Sequence, residues 1–192
     1  MNTNIKYKFI GCLAATGLIA ASGCSDYLDV LPTNEVVSQN YWTQKGDVSS
    51  VVNSCYESLQ SSDAILRMSV WGELRSDNIR AGSNVPNDIN EMLKENLLPS
   101  NPYADWSKFY EAINRCNIVC HFAPKVQAID PNYTEQEMRA TIAEVTTLRS
   151  LAYFYLIRAF RDVPYSSEPS IDDTQEYILP ATPFDQVLDS LI

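Results

Sequence analysis

One polar stretch of the sequence carries residue types that suit a carbohydrate site. Trp71 is followed by Asn78, Arg80, Asn84 and Asn87. An aromatic face can pack on the apolar side of a sugar ring, while Asn offers a donor and an acceptor, and Arg a fixed fork of donors, to hydroxyl groups. These five residues are therefore the candidate ligand-binding residues. The structural alternative is that Trp71 packs in the core or at a helix end and that the asparagines serve an ordinary loop.

Cys116, Cys120 and His121 form the other cluster that could do chemistry. His121 is the only His of the chain, and the spacing matches no standard zinc pattern. A disulfide between Cys116 and Cys120 is also disfavoured, because adjacent turns of one helix do not present the geometry that a disulfide prefers. We expect no metal site here and buried free thiols instead.

Catalytic chemistry has little support in this sequence. A single His excludes most triad and zinc schemes, and there is no Gly-rich phosphate loop. Glu144 and Arg149 are expected to form ion pairs or helix contacts. We therefore expect neither an enzyme nor a cofactor, with a glycosidase that uses two carboxylates as the catalytic alternative.

The charge distribution separates a basic leader from an acidic remainder. The chain has 192 residues with 14 Lys+Arg and 24 Asp+Glu, a net charge of -10 that argues against nucleic acid as a partner. Residues 1–23 contain Lys6 and Lys8 and no acid, followed by an apolar run over residues 9–21. That run is too short to cross a bilayer, which needs about 20 residues, and it has the length of a signal-peptide core. Residues 1–23 are therefore predicted to be an export signal.

A cysteine follows this leader directly. The sequence Ala21-Ser22-Gly23-Cys24 resembles the lipobox of bacterial lipoproteins, in which removal of the signal leaves the Cys as a lipidated first residue. Lipidation of Cys24 would hold the protein on a membrane without a spanning helix. The alternative is an ordinary secretory signal with an incidental Cys at its end.

Residues 24–192 have the pattern of helices joined by polar connections. Apolar residues at three- and four-residue steps predict a helix over residues 45–60. Residues 76–87 are predicted to form a loop, and residues 88–97 a short helix at best. Asn101 and Pro102 provide a cap and a first-turn Pro for a further helix, whose apolar stripe ends before Pro124.

Two more helices are predicted from their starting signals. Thr134 and Glu137 have the spacing of a capping box, and the long helix that follows should end at residues 162–164. It is apolar on nearly every side over residues 144–160, so it must be covered on more than one face, as in stacked helix pairs. Thr182 is the predicted cap of a last helix with Pro183 at its first position. The fold class is therefore all-α.

Four motifs in the expected order resemble the SusD/RagB-like outer-membrane lipoproteins of Bacteroidetes. They are Cys24 with its continuation to Pro32, the helix from Trp106 to Asn117, the run from Ala143 to Leu156, and the sequence Phe160-Arg161-Asp162-Val163-Pro164. Arg161 departs from the Gly that is usual in the last motif, so the local turn can differ there.

This resemblance implies an all-α fold of tetratricopeptide-like stacked helix pairs with long irregular loops, at the cell surface on the outer membrane. It implies a protein that binds an oligosaccharide or another nutrient and delivers it to a SusC-like TonB-dependent transporter. An adaptor that binds only a protein partner is the alternative. Members of the family are several hundred residues long, so residues 24–192 are expected to be the N-terminal part of such a domain, incomplete at the C-terminus.

Overall fold

A computed structural model describes residues 41–74, 76, 78, 80–171 and 178–192. Six α-helices are present in these ranges: α1 Lys45–Gln60, α2 Ser62–Ser69, α3 Asn87–Leu93, α4 Ser107–Ile129, α5 Glu135–Phe160 and α6 Phe184–Leu191. A π-helical turn, Val70–Leu74, continues α2, and a 3₁₀ turn, Pro102–Ala104, precedes α4. The only strands in the described ranges, β1 Val163–Pro164 and β2 Ala181–Thr182, form a short antiparallel pair. The predicted all-α fold is confirmed.

The long helices α4 and α5 are the centre of the fold. They are joined at residues 130–134, and α1 packs against both, chiefly against α4. One apolar core lies between α1, the second half of α4 and the first half of α5. A second core joins the other halves of α4 and α5 to β1 and α6, and Leu148 packs against both cores. The helix α5 is thus covered on several sides, as its sequence predicts.

Two predicted helix starts have the expected bounds. Helix α1 spans Lys45–Gln60, and α5 begins after Thr134, whose hydroxyl accepts a hydrogen bond from the Glu137 amide at 3.3 Å. The Glu137 carboxylate accepts the Thr134 amide at 3.0 Å in return. This reciprocal pair is the predicted capping box.

The predicted bounds of α4 are wrong at both ends. Asn101 and Pro102 begin only the 3₁₀ turn, and α4 starts at Ser107 because Asp105 accepts hydrogen bonds from the Ser107 amide at 2.9 Å and its hydroxyl at 2.7 Å. At the other end the helix continues through Pro124 to Ile129. A Pro inside a helix costs roughly 3 kcal/mol. Burial of Phe122, Ala123 and Val126 on both sides of this Pro offsets that cost.

The cap predicted for the last helix is also wrong. Thr182 pairs with Val163 in the strands, and its place is taken by Asp162, whose Oδ1 accepts the Phe184 amide at 3.0 Å. The short helix α3 begins at Asn87, one residue earlier than predicted, and ends at Leu93. Among the described residues, we find no helix that combines the length and apolarity needed to span a membrane.

Candidate functional site

Trp71 lies in the π-helical turn and is partly buried. Its Nε1 donates a hydrogen bond to the Tyr103 carbonyl at 2.7 Å, and its ring lies 4.9 Å from the ring of Phe160, centroid to centroid. These contacts tie the end of α2 to the turn before α4 and to the end of α5. Part of the Trp71 side chain is therefore used in packing, and the remainder is accessible.

The other four candidate residues are exposed. Asn78, Arg80 and Asn84 lie between the π-helical turn and α3, and Asn87 is the first residue of α3. Within the described ranges, no hydrogen bond, ion pair or ring contact joins any two of the five candidates. In the same ranges, the four exposed candidates make one hydrogen bond other than those of helical backbone, from the Asn78 amide to the Ser76 hydroxyl at 3.3 Å. Their polar side-chain groups are thus available to a ligand, but internal contacts do not fix their positions.

A cavity of about 730 Å³ lies beside α4. Its walls come from α4, from α5 and from residues 163–171, a segment that we call the strap. The lining residues are Ser107, Tyr110, Glu111, Ile113, Asn114, Asn117, Tyr153, Ser166, Glu168, Pro169, Ser170 and Leu179. None of the five residues predicted from the sequence lines this cavity.

Two asparagines of α4 hold the strap by its backbone. The amide group of Asn117 donates to the carbonyls of Ser166 and Glu168, both at 3.1 Å. One turn earlier, Oδ1 of Asn114 accepts the Ser170 amide at 2.7 Å, and its amide group donates to the Ser170 carbonyl at 3.3 Å. The strap is therefore bound through main-chain groups, which satisfies polar atoms that would otherwise be buried without partners.

Two tyrosines complete this attachment. Tyr110 donates its hydroxyl to the Pro164 carbonyl at 2.7 Å, and the Tyr153 hydroxyl accepts the Ser166 amide at 2.9 Å. Burial raises the pKa of Tyr153 to about 12, and burial also raises the pKa of Tyr110. Both hydroxyls consequently stay protonated at neutral pH and act as hydrogen-bonding groups rather than as acids or bases.

Helix contacts account for Arg149 and Glu144, as the sequence predicts. Arg149 donates to Oδ1 of Asn117 at 2.7 Å, and Glu144 accepts the Tyr56 hydroxyl at 2.7 Å. The contact of Arg149 orients the amide group of Asn117 toward the strap, because it fixes which side of the amide carries the oxygen.

The cluster of Cys116, Cys120 and His121 does not form a common site. His121 lies 2.8 Å from the Lys125 ammonium, and Cys120 lies 3.9 Å from the Thr146 hydroxyl. In the part of the chain that the structure describes, no group of three or more His, Cys, Asp or Glu residues is placed to hold a metal ion. Cys55, Cys116 and Cys120 are free thiols, the first two of them buried.

The sequence pattern missed the role of Asn114 and Asn117. Both lie within the helical motif from Trp106, but the pattern there indicates only an apolar stripe. The sequence did contain one signal, the polar Asn117 within an otherwise apolar helix face. A buried Asn needs hydrogen-bond partners for its donors and its acceptor. The predicted lipidation site, Cys24, and the predicted leader, residues 1–23, lie outside the described residues.

Comparison with known proteins gives one family. Residues 26–188 match the model of the SusD-like family that is described as starch-binding and associating with the outer membrane. Two SusD-like proteins of Formosa agariphila are similar over nearly the whole chain, with 26% identity over 98% of it and 23% identity over 97% of it. In both cases the chain covers 36% of the relative's length.

Solved structures are similar in fold. The crystal structure of a SusD superfamily protein from Bacteroides thetaiotaomicron matches with a TM-score of 0.66 and 25% identity, over 78% of this chain and 33% of that one. A SusD-like carbohydrate-binding protein from Bacteroides fragilis matches with a TM-score of 0.57 and 18% identity, over 79% and 30%. The chain therefore spans about a third of the length of these proteins.

Proposed function

Because the chain belongs to the SusD-like family, we propose that it is the N-terminal part, residues 24–192, of a cell-surface protein that binds an oligosaccharide or another nutrient. The observation that carries this proposal is the family match over residues 26–188, which includes α1 to α5 and the first part of α6. The family's description as starch-binding and associating with the outer membrane supports both the ligand class and the location. The proposed role is binding without catalysis.

We further propose that lipid on Cys24 anchors the protein and that the bound ligand passes to a SusC-like TonB-dependent transporter. The leader over residues 1–23 and the lipobox-like sequence before Cys24 support the anchor. Lipid attachment would keep the binding domain at the membrane surface next to an integral partner. The acidic balance of residues 24–192 opposes binding to nucleic acid.

The proposed ligand contacts are Trp71, Asn78, Arg80, Asn84 and Asn87. The exposure of the last four supports this assignment, because a ligand displaces only water from them. Trp71 has less free surface, since its ring packs on Phe160 and its Nε1 is bonded to the Tyr103 carbonyl.

The test is calorimetry of the full-length, signal-less protein against a panel of starch-derived and other oligosaccharides. For a glycan that binds, Arg80→Ala should weaken affinity roughly 10-fold or more, since a hydrogen bond to a charged group contributes about 1.5–3 kcal/mol. Asn132→Ala is the surface control, because Asn132 is also exposed and lies in the turn between α4 and α5. Its affinity should equal that of the wild type.

Each other outcome contradicts a part of the proposal. Wild-type affinity in Arg80→Ala, Asn84→Ala and Asn87→Ala would place the glycan elsewhere on the protein. Binding to no glycan, with capture of a transporter, would favour the protein-only adaptor. Turnover of a glycan would indicate a glycosidase.

A further inference from the structure

Asn101 and Asn117 are the two buried asparagines in the part of the chain that the structure describes. Oδ1 of Asn101 accepts the Tyr103 amide at 3.0 Å, and its Nδ2 donates to the Asp88 carbonyl at 3.0 Å. The first bond caps the 3₁₀ turn, a role that Asp or Ser fills equally well. The second bond needs an additional donor group, which Asn has and Asp lacks. Asn101 therefore does more than cap the turn, because it also joins the turn to α3.

The capped turn is also bonded to the end of α2. We call residues 101–105, which contain this turn, the bridge. Trp71 donates Nε1 to the Tyr103 carbonyl at 2.7 Å. One helical turn earlier, Arg67 donates to the Asp105 carboxylate at 3.0 Å. The bridge is thus bonded to Trp71 as well as to α3.

Asp88 belongs to a segment that carries two of the proposed ligand contacts, Asn84 and Asn87. The Asn90 side chain donates to the Val85 carbonyl at 3.4 Å, which closes this segment onto α3. The side chains of Asn84 and Asn87 are exposed, but the backbone that carries them is tied to the bridge through the Asp88 carbonyl. The hydrogen bonds of one buried side chain therefore connect two regions of the proposed site.

We propose that Asn101 is a positioning residue of the glycan site and fixes the backbone around Asn87 relative to Trp71 before a glycan binds. The inference rests on the proposed function, because Trp71 and Asn87 are ligand contacts proposed there. A glycan that contacts both residues then meets groups whose spacing is already set. The protein loses less conformational freedom on binding, which raises the affinity.

Hydrogen exchange of the full-length, signal-less protein, measured by mass spectrometry without a ligand, tests the link itself. Asn101→Asp keeps an acceptor for the Tyr103 amide but places a carboxylate oxygen against the Asp88 carbonyl. Peptides from α3 should exchange roughly 5-fold faster, the factor expected for loss of one hydrogen bond, while the bridge stays protected. In Asn101→Ala, which loses both bonds, α3 and the bridge should both exchange faster.

The exchange result can contradict the inference directly. Wild-type exchange of α3 in Asn101→Asp would overturn the link between Asn101 and α3. Asn101→Ser, which keeps a shorter cap without the amide donor, replaces Asn101→Asp if the carboxylate prevents folding.

Calorimetry tests the role of this link in the site, with maltoheptaose first and, where it does not bind, with the other oligosaccharides of the panel. Asn101→Asp should weaken the affinity roughly 5-fold, because the glycan must then order the loop. In the Asn87→Ala background the same change should have a smaller effect, since Asn101 acts through the placement of that contact. Asn117→Ala is the matched control. It removes a buried Asn that attaches the strap, so it lowers stability but should leave the affinity unchanged.

Three results of the binding measurement would overturn the positioning role while the proposed function stands. They are wild-type affinity in Asn101→Asp, an equal loss with and without Asn87→Ala, and an equal loss in Asn117→Ala. Binding of no oligosaccharide by the wild type would instead refute the proposed function and, with it, a glycan site for Asn101 to position. The exchange measurement needs no glycan, so the two failures are distinguishable.

Discussion

Replacement of Asn117 by Ala is the sharpest test of how the strap is held. The side chain is 2% exposed and makes three hydrogen bonds, two to strap carbonyls at 3.1 Å and one from Arg149 at 2.7 Å. A neutral hydrogen bond contributes about 1 kcal/mol net and one to a charged group about 1.5–3 kcal/mol. Arg149 is only partly buried and can be rehydrated, so we take about 1 kcal/mol for its bond. The expected loss is about 3 kcal/mol.

Urea denaturation followed by far-UV circular dichroism measures this loss. With a denaturant slope of about 2 kcal/mol/M, the midpoint should fall by roughly 1.5 M. Such a loss is a large part of the 5–15 kcal/mol by which a domain is usually stable. Amide hydrogen exchange should also quicken in the strap, at Ser166 and Ser170 in particular, because loss of Asn117 frees the segment between them.

Asn114→Ala is the matched control for this variant. It removes the same side chain one turn earlier, but Asn114 is only partly buried and its two hydrogen bonds involve a single strap residue, Ser170. The expected loss is about 1–1.5 kcal/mol. Equal midpoints for the Asn117→Ala and Asn114→Ala variants, or unchanged exchange in the strap of Asn117→Ala, would refute the role assigned to Asn117.

Three further changes test the ends of α5 and α6. Arg161→Gly should raise the free energy of unfolding by about 1 kcal/mol, because Arg161 has φ 65°, where a Cβ is unfavourable. Arg161→Ala is the control: it keeps the Cβ but loses the guanidinium that lies 5.4 Å from the Phe184 ring, so it should not stabilise the protein. Asp162→Ala should lower stability by about 1 kcal/mol, because it removes the cap on the Phe184 amide. Asp162→Asn keeps an acceptor oxygen and should cost less. Thermal unfolding of the two Arg161 variants and the two Asp162 variants tests these expectations. The Lys45 ammonium 2.6 Å away holds the pKa of Glu137 at about 2, so the stability from this carboxylate is present above the ordinary pKa and is lost as pH falls toward 2. The deficit in thermal midpoint of Glu137→Gln should therefore shrink as pH falls from about 5 toward 2, and a deficit independent of pH would contradict this assignment.

The sequence predicted helix bounds correctly where the residues that set a bound lie close together in the sequence. The apolar spacing of α1 defines its bounds, and the capping box of Thr134 and Glu137 is complete within four residues. Prediction failed where distant contacts decide. The cap of α6 comes from Asp162, 22 residues before Phe184, while burial around Pro124 keeps α4 helical past a residue that usually ends a helix. No sequence window contains both partners of such contacts.

The candidate site shows the same division between residue type and placement. The residue types at 71–87 indicate carbohydrate chemistry, but side-chain types do not specify where the exposed groups converge. The attachment of the strap to α4 could not be predicted from the sequence, for another reason. Asn117 binds carbonyls of Ser166 and Glu168, and a carbonyl is present at every position of any sequence. Only the folded chain shows which carbonyls lie opposite the amide.

This use of amide groups bears on where a glycan can be recognised. Along the cavity, both donor positions of Asn117 are occupied by strap carbonyls, and Asn114 is bonded to Ser170 through both of its polar atoms. A sugar hydroxyl there would have to replace an internal hydrogen bond, so the net gain would be small. In the loop, Arg80 and Asn84 have no internal side-chain partner within the described ranges, and a hydroxyl would replace only water. We therefore propose the loop, rather than this cavity, as the glycan site. Calorimetry can check it, because Asn114→Ala should leave glycan affinity unchanged while Arg80→Ala should reduce it.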